Sequence, residues 1–343
     1  MNSQSLIEIA RSLVVAGKGL LAIDESDGTC DKRFAKIGIP QTLAARREYR
    51  ELIITTAGLG ESISGMILYD ETIRQQEGDG TTFLAVLKHT GIIAGIKVDT
   101  GAKPLAGCPG ESVTEGLDGL RERLGAYFQM GARFAKWRAV ITVGEGLPSP
   151  ACIEANAHAL ARYAALCQEA GLVPVVEPEV LMEGAHSLQR CRDVTEACLR
   201  AVFDQLRSQR VLLEGMILKP NMVLPGLTCP HQDSVDVVAA ATVQCLLECV
   251  PAAVPGIAFL SGGQAGELAS ARLNAMHVGS GSVPAHLPWA LTFSFGRAIQ
   301  EPALGIWGGD RTRRSAAQQA LLHRARCSGA ASRGSYGAAM ELS

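Results

Sequence analysis

No Cys-x-x-Cys pair, no His-Glu-x-x-His and no basic leader followed by an apolar run occurs in this chain, and no apolar stretch is long enough to span a bilayer. The ten cysteines are scattered and the seven histidines form no closely spaced pair. Reduced, mostly structural thiols are therefore expected, a dedicated zinc site is not, and any mechanism is first tried without a metal. Excess charge is missing as well: 32 Lys and Arg stand against 34 Asp and Glu, for a net charge of −2. That removes the overall electrostatic case for nucleic acid or an anionic membrane, so an anionic ligand has to be held locally. No Pro-, Gly- or Ser-rich linker splits the chain. A soluble, cytoplasmic protein is the expectation.

What is present is apolar material. At 47% hydrophobic against 19% charged, 343 residues can bury a large core, which excludes wholesale disorder and fits one large barrel or two ordinary domains. Eight short apolar segments recur between stretches with helical spacing: Leu20–Asp24, Ser64–Asp70, Gly91–Asp99, Arg133–Ile141, Leu172–Glu179, Glu214–Lys219, Gly256–Gly262 and Ala290–Gly296. Helices are expected over Arg46–Thr56, Glu115–Met130, Thr195–Leu206, Ser234–Cys249 and Ala316–Arg326, with another around Ile153–Cys167. Strand and helix alternating eight times predict one (β/α)8 TIM barrel over residues 1–328, with an extra N-terminal helix. The segment Gly329–Ser343 is small, polar and poor in apolar anchors, and is expected to be a flexible C-terminal tail.

Charges stand at the downstream ends of the apolar segments: Asp24, Lys97, Lys136, Arg138, Glu177, Glu179, Lys219, and Arg297 just past the eighth. In a parallel barrel those ends converge on the face where active sites are built. Residues two apart on a strand share a face, so Lys136 with Arg138, and Glu177 with Glu179, can each point inward. Each charge alone has an ordinary explanation, a solvated lysine or an ion-paired glutamate. The context of Lys219, EGMILKPN, weighs against that, because burying its ionised form is costly. Desolvation and the cations Lys136 and Arg138 would leave a fraction as free amine able to attack a carbonyl. A Schiff base also needs a proton shuttle to remove water, and Glu177 or Glu179 can supply it. Ser261-Gly262-Gly263 after the seventh segment and Gly296-Arg297 after the eighth make an anion cradle. Ser26, Thr29, Arg33 and Lys97 can receive a second anion across the mouth, although Ser26 and Thr29 also suit a helix cap.

At these residues the chain resembles class I fructose-1,6-bisphosphate aldolase over almost its whole length. GKGLLAIDES, GIKVD with PLAG, FAKWR, ARYA, VPVVEPE, LEGMILKPNMV, VPGIAFLSGGQ and PWALTFSFGRA occur in the family's order at nearly its spacing. The resemblance implies reversible cleavage of fructose 1,6-bisphosphate to dihydroxyacetone phosphate and glyceraldehyde 3-phosphate, through a lysine Schiff base and without metal or other cofactor. It implies Lys219 as nucleophile, Glu177 as proton shuttle, Glu179 as a support and Asp24 as the residue orienting the reacting hydroxyl. Lys136 and Arg138 would set the charge field and contact substrate. Ser261, Gly262, Gly263, Gly296 and Arg297 would take the phosphate next to the ketone, and Ser26, Thr29, Arg33 and Lys97 the distal one. A homotetramer acting on small sugar phosphates is implied too.

Three features depart from the family's pattern. Asp27 adds negative charge near the expected distal phosphate, the His277–Pro288 loop is longer and richer in glycine, and the chain ends Met340-Glu341-Leu342-Ser343 where many eukaryotic members end in tyrosine. Asp27 brings in preference for a monophosphate such as fructose 1-phosphate as an alternative, and a low-turnover sugar-phosphate-binding or assembly protein is the reading from another class.

Overall fold

The computed structural model describes residues 3–279 and 286–342. In chain order its strands are β1 (Gly19–Ala22), β2 (Ile63–Leu68), β3 (Ile93–Lys97), β4 (Gly101–Pro104), β5 (Ser112–Glu115), β6 (Phe134–Ile141), β7 (Val173–Val180), β8 (Ile217–Leu218), β9 (Gly256–Phe259) and β10 (Ala290–Phe295). Eight of them close a barrel in the order β1-β10-β9-β8-β7-β6-β3-β2, every neighbouring pair parallel. Each expected apolar segment supplies one strand, and helices lie between them as the (β/α)8 pattern requires. β4 and β5 form a separate antiparallel hairpin that no apolar run announces.

Two apolar layers hold this ring. The larger lies between strands and helices, where Trp137 of β6 meets Tyr163 with ring centroids 5.5 Å apart. The smaller fills the barrel's lower end. The N-terminal helix (Ser3–Leu13) sends Leu6, Ala10 and Leu13 into it, against Leu20, Phe134, Val173 and Ile217 from the starts of four strands. Gly95 of β3 makes room inside, since a Cβ there would lie 2.3 Å from the Phe134 ring.

The structure corrects the sequence reading at three places. Leu120–Met130 is shorter than the helix expected from Glu115, because Ser112–Glu115 is spent on the hairpin and Gly119 enters the helix with φ 62°. β8 is two residues long: Lys219 still donates its backbone N–H to the Val176 carbonyl at 2.8 Å, and Pro220 has none to offer. The expected boundary at 328/329 falls inside the last α-helix (Arg314–Ala331), in which Gly329, Ala330 and Ala331 are buried. Their smallness is the reason: a Cβ on Gly329 would approach the Gly17 carbonyl oxygen to 2.7 Å. Residues beyond it are structured as well, with a 3-10 turn at Ala338–Leu342 and the Tyr336 N–H bonded to Asn274 Oδ1 at 2.9 Å. Of the His277–Pro288 loop, residues 280–285 lie outside the described residues.

Candidate active site

The inward faces of β6 and β7 carry Lys136 and Arg138 beside Glu177 and Glu179, and the register sets Arg138 opposite Glu177. Asp24 follows β1 by two residues and Lys219 follows β8 directly. Together they line a cavity of about 510 Å³ at the ends of the strands. At its floor four charges form a chain. Lys136 Nζ lies 2.6 Å from Asp24 Oδ2 and 3.3 Å from Glu177 Oε2, and Glu177 Oε1 lies 3.0 Å from Lys219 Nζ. Two cations and two anions sum to zero, which is what lets them sit where the side chains of Lys136, Glu177 and Lys219 are each only 4% exposed.

The charge field is readable in the carboxyl groups. Burial by itself would raise Asp24, but Lys136, Lys219 and Lys97 overcome it and hold the acid down at about 2. Burial opposes ionisation of Glu177 too, and Lys136, Lys219 and Arg138 bring it below the ordinary carboxylate range. Between the same carboxylates Lys136 is pushed well above an ordinary lysine, against its own desolvation. Beside these groups, the Glu177 carboxylate stands within hydrogen-bond reach of the Lys219 amine. Glu177 Oε2 has no aligned hydrogen-bond donor among the described residues, so that oxygen keeps capacity for a proton.

Toward the mouth, Arg138 pairs with Glu179. Lys97 is held by Asp99, at 2.7 Å from the carboxylate and 2.9 Å from the backbone carbonyl. On one rim Ser261 and Gly262 follow β9, and Gly296 and Arg297 follow β10, where a helix (Arg297–Trp307) begins. Gly262 (φ 61°) and Gly263 (φ 102°) turn this loop in the left-handed region, and a Cβ on Gly262 would come within 2.3 Å of Met182 Sδ. Gly263 does not line the cavity, but a Cβ there would meet Arg297 Nη2 at 3.3 Å. Ser26, Thr29 and Arg33 line the cavity after β1, the strand next to β10. Ser26 precedes the helix Asp27–Ala35 without a side-chain cap bond, and its Oγ is 3.0 Å from Thr29 Oγ1. Asp27 does not line the cavity; its carboxylate lies 3.9 Å from Arg46 Nε.

The family model described as fructose-bisphosphate aldolase class-I matches residues 5–343. The chain belongs to the class-I fructose-bisphosphate aldolase family. Among its relatives is the probable fructose-bisphosphate aldolase class 1 of Xanthomonas axonopodis pv. citri (strain 306), 56% identical over 98% of this chain and 99% of that protein. Fructose-bisphosphate aldolase B of Gallus gallus is 48% identical, covering 97% of this chain and 91% of its own length. The fructose-bisphosphate aldolase of Plasmodium falciparum, solved in complex with TRAP and a small-molecule inhibitor, superposes with a TM-score of 0.94 at 44% identity, covering 97% of this chain and 95% of that one. The protein is thus an aldolase that reversibly cleaves fructose 1,6-bisphosphate, and its class implies a lysine Schiff base.

Several residues of this aldolase site escape a reading of the sequence. Glu25, inside the AIDES block, pairs with Arg33 and, at 3.0 Å, with Arg50, while Gln300 donates to its carboxylate at 3.0 Å and accepts from Arg33 at 3.2 Å. Arg33 is thereby held by partners that a neutral glutamine and a helix-start glutamate do not advertise. Lys32 and Lys36 also reach the cavity. With Thr29 and Arg33 their spacing marks one helix face, a signal that was there to use. Ser294 lies in the cavity wall with its buried hydroxyl unpartnered among the described residues; alternation with Leu291, Phe293 and Phe295 along β10 points it inward.

Proposed function

We propose that this aldolase works through Lys219 as nucleophile and Glu177 as proton carrier. One observation carries the reading: the amine and the carboxylate are 3.0 Å apart, and each side chain is only 4% exposed. In the pair as it stands, transfer of one proton from Lys219 to Glu177 leaves a neutral amine and a neutral acid. The amine's electron pair then bonds to the ketone carbon, and one of the nitrogen's two protons passes to the former carbonyl oxygen, giving a neutral carbinolamine. Glu177 returns the stored proton to the carbinolamine hydroxyl, which leaves as water and gives an iminium. A base removes the proton of the fourth carbon's hydroxyl, the bond to the third carbon breaks, and its electrons flow into the iminium to form an enamine. Glyceraldehyde 3-phosphate departs, the enamine is protonated, and hydrolysis frees dihydroxyacetone phosphate.

Asp24, ionised and tied to Lys136 at 2.6 Å, orients the reacting hydroxyl. Lys136 and Arg138 set the charge field, and Glu179 fixes Arg138. Ser261, Gly262, Gly263, Gly296 and Arg297 take the phosphate next to the ketone; Ser26, Thr29, Arg33 and Lys97 take the distal one. Cationic residues from the segments after β1, β3 and β10 around one cavity support a bisphosphate over a monophosphate such as fructose 1-phosphate, and the Arg46 contact of Asp27 draws its charge aside. Cleavage rates for the two sugars compare these directly. The same reading makes the protein a cytoplasmic homotetramer. No helix among the described residues is long and apolar enough to cross a membrane, and an Arabidopsis thaliana relative, 48% identical, is named as cytosolic. Light scattering tests the tetramer.

Borohydride reduction in the presence of dihydroxyacetone phosphate, followed by peptide mass analysis, should place a covalent adduct on Lys219. An adduct on another lysine, or none, sinks the assignment. Lys219→Met should lower turnover by ~10³-fold or more and Glu177→Gln by about 10²- to 10⁴-fold, with Glu179→Gln losing less than Lys219→Met.

A further inference from the structure

On the last α-helix His323 and Cys327 are four residues apart and share one face, and the turn Ala338–Leu342 brings Glu341 to both. His323 Nε2 lies 3.6 Å from Cys327 Sγ and 3.6 Å from Glu341 Oε2. One ligand atom from each residue falls within 4.8 Å of the others. Zinc with bonds of about 2.0–2.1 Å to nitrogen and oxygen and about 2.3 Å to sulfur holds its tetrahedral ligand atoms roughly 3.3–3.6 Å apart. Two of the three separations already have that size. Imidazole with thiolate also selects zinc over magnesium or calcium, which prefer oxygen.

We propose that His323, Cys327 and Glu341 bind one zinc-class divalent cation, with water as fourth ligand, fastening the C-terminal segment to the last helix. The surroundings fit that role. Glu341 Oε1 accepts from Tyr336 Oη at 2.7 Å and from Arg324 Nη1 at 2.6 Å, and Oε2 accepts from the same Nη1 at 2.5 Å. A carboxylate has about four acceptor positions, so one on Oε2 stays free while the others fix its orientation. Binding sends the Cys327 thiol proton to solvent as the sulfur's electron pair forms the metal bond. Charges then balance: a divalent cation and Arg324 face the thiolate, Glu341 and Glu267, whose carboxylate is 3.7 Å from Arg324. Cys327 is buried, whereas His323 and Glu341 are 30% and 20% exposed, which leaves an entry and a place for the water.

The test uses the full-length protein, stripped with chelator and titrated with cobalt and then zinc. Cobalt should bind once per chain with a thiolate charge-transfer absorption that zinc displaces. The band should vanish in Cys327→Ser, and affinity should fall by about tenfold or more in His323→Gln and Glu341→Gln. Zinc should also slow amide exchange over residues 332–342 in the wild type but not in these variants. Absence of the band, its survival in Cys327→Ser, or unchanged exchange would overturn the proposal. Unfolding midpoints of the metal-free variants serve as the folding control, and His323→Gln, on a partly exposed side chain, keeps the test open if Cys327→Ser does not fold. None of these signals depends on turnover, so they fail or succeed apart from Lys219.

Discussion

Lys136 stands between Asp24 and Glu177; without it Asp24 would lose its ion-pair partner and Glu177 would keep only Lys219. This has a consequence for stability in acid. Asp24 lies at about 2 in the folded protein against an ordinary 3.8, so its ionised form favours folding. The contribution is complete well above the ordinary value and disappears as pH falls through about 2; Glu177, shifted in the same direction, adds to it. Urea unfolding followed from about pH 5 down to pH 2 should show stability declining toward acid, with a shallower decline in Asp24→Asn. Identical slopes would mean that Asp24 carries no such coupling. The charges gathered in the cavity were legible because apolar runs ended in them, an arrangement costly to keep without a partner or a task. Glu25 and Gln300 were not, because each does its work by holding Arg33, and nothing in one sequence shows which arginine a glutamine faces.

At the scale of elements, the strand–helix alternation was readable and the strand ends were not. Where a proline follows, as at Lys219-Pro220, pairing stops though the apolar run continues. The β4–β5 hairpin stayed hidden because its residues, GAKP and SVTE, contribute little to the core. Arg272 was likewise unannounced. It sits in the helix Gly266–Val278, buried, where its Nη1 donates to Gln264 Oε1 at 2.8 Å, and Gln264 Nε2 donates to the Ser261 carbonyl at 3.0 Å. A helical arginine normally reads as part of a solvated face; here it buttresses the Ser261-Gly262-Gly263 loop. Arg272→Met should raise KM for the bisphosphate several-fold with kcat within about two-fold, and weaken inhibition by inorganic phosphate in parallel. A loss confined to kcat, or to thermal stability, would assign Arg272 a different part.

For the whole molecule, the lower end of the barrel is sealed by the N-terminal helix and the upper end is left open for chemistry. Leu13 is fully buried in that seal. Leu13→Ala should cost about 2–5 kcal/mol by chemical denaturation while leaving kcat unchanged, since the cavity it opens lies in the sealed end, away from Lys219. A matching fall in kcat would show that the two ends are coupled. Sequence composition predicted the large core but not its division into two layers, because Leu, Val and Phe serve both. The chain's end was misread for a related reason: Gly329, Ala330 and Ala331 pack by being small rather than by being apolar and large.

The pairing of β1 also bears on how the protein is made. β1 takes one neighbour from β2 but the other from β10, with Leu20 beside Ser294. A chain emerging from the ribosome carries that first strand half-paired until nearly all the others exist, its free edge open to chaperones or sister chains in the meantime. Ring closure then waits for β10, and the contact that completes it joins two strands far apart in sequence, the kind of pairing that costs most loop entropy to form.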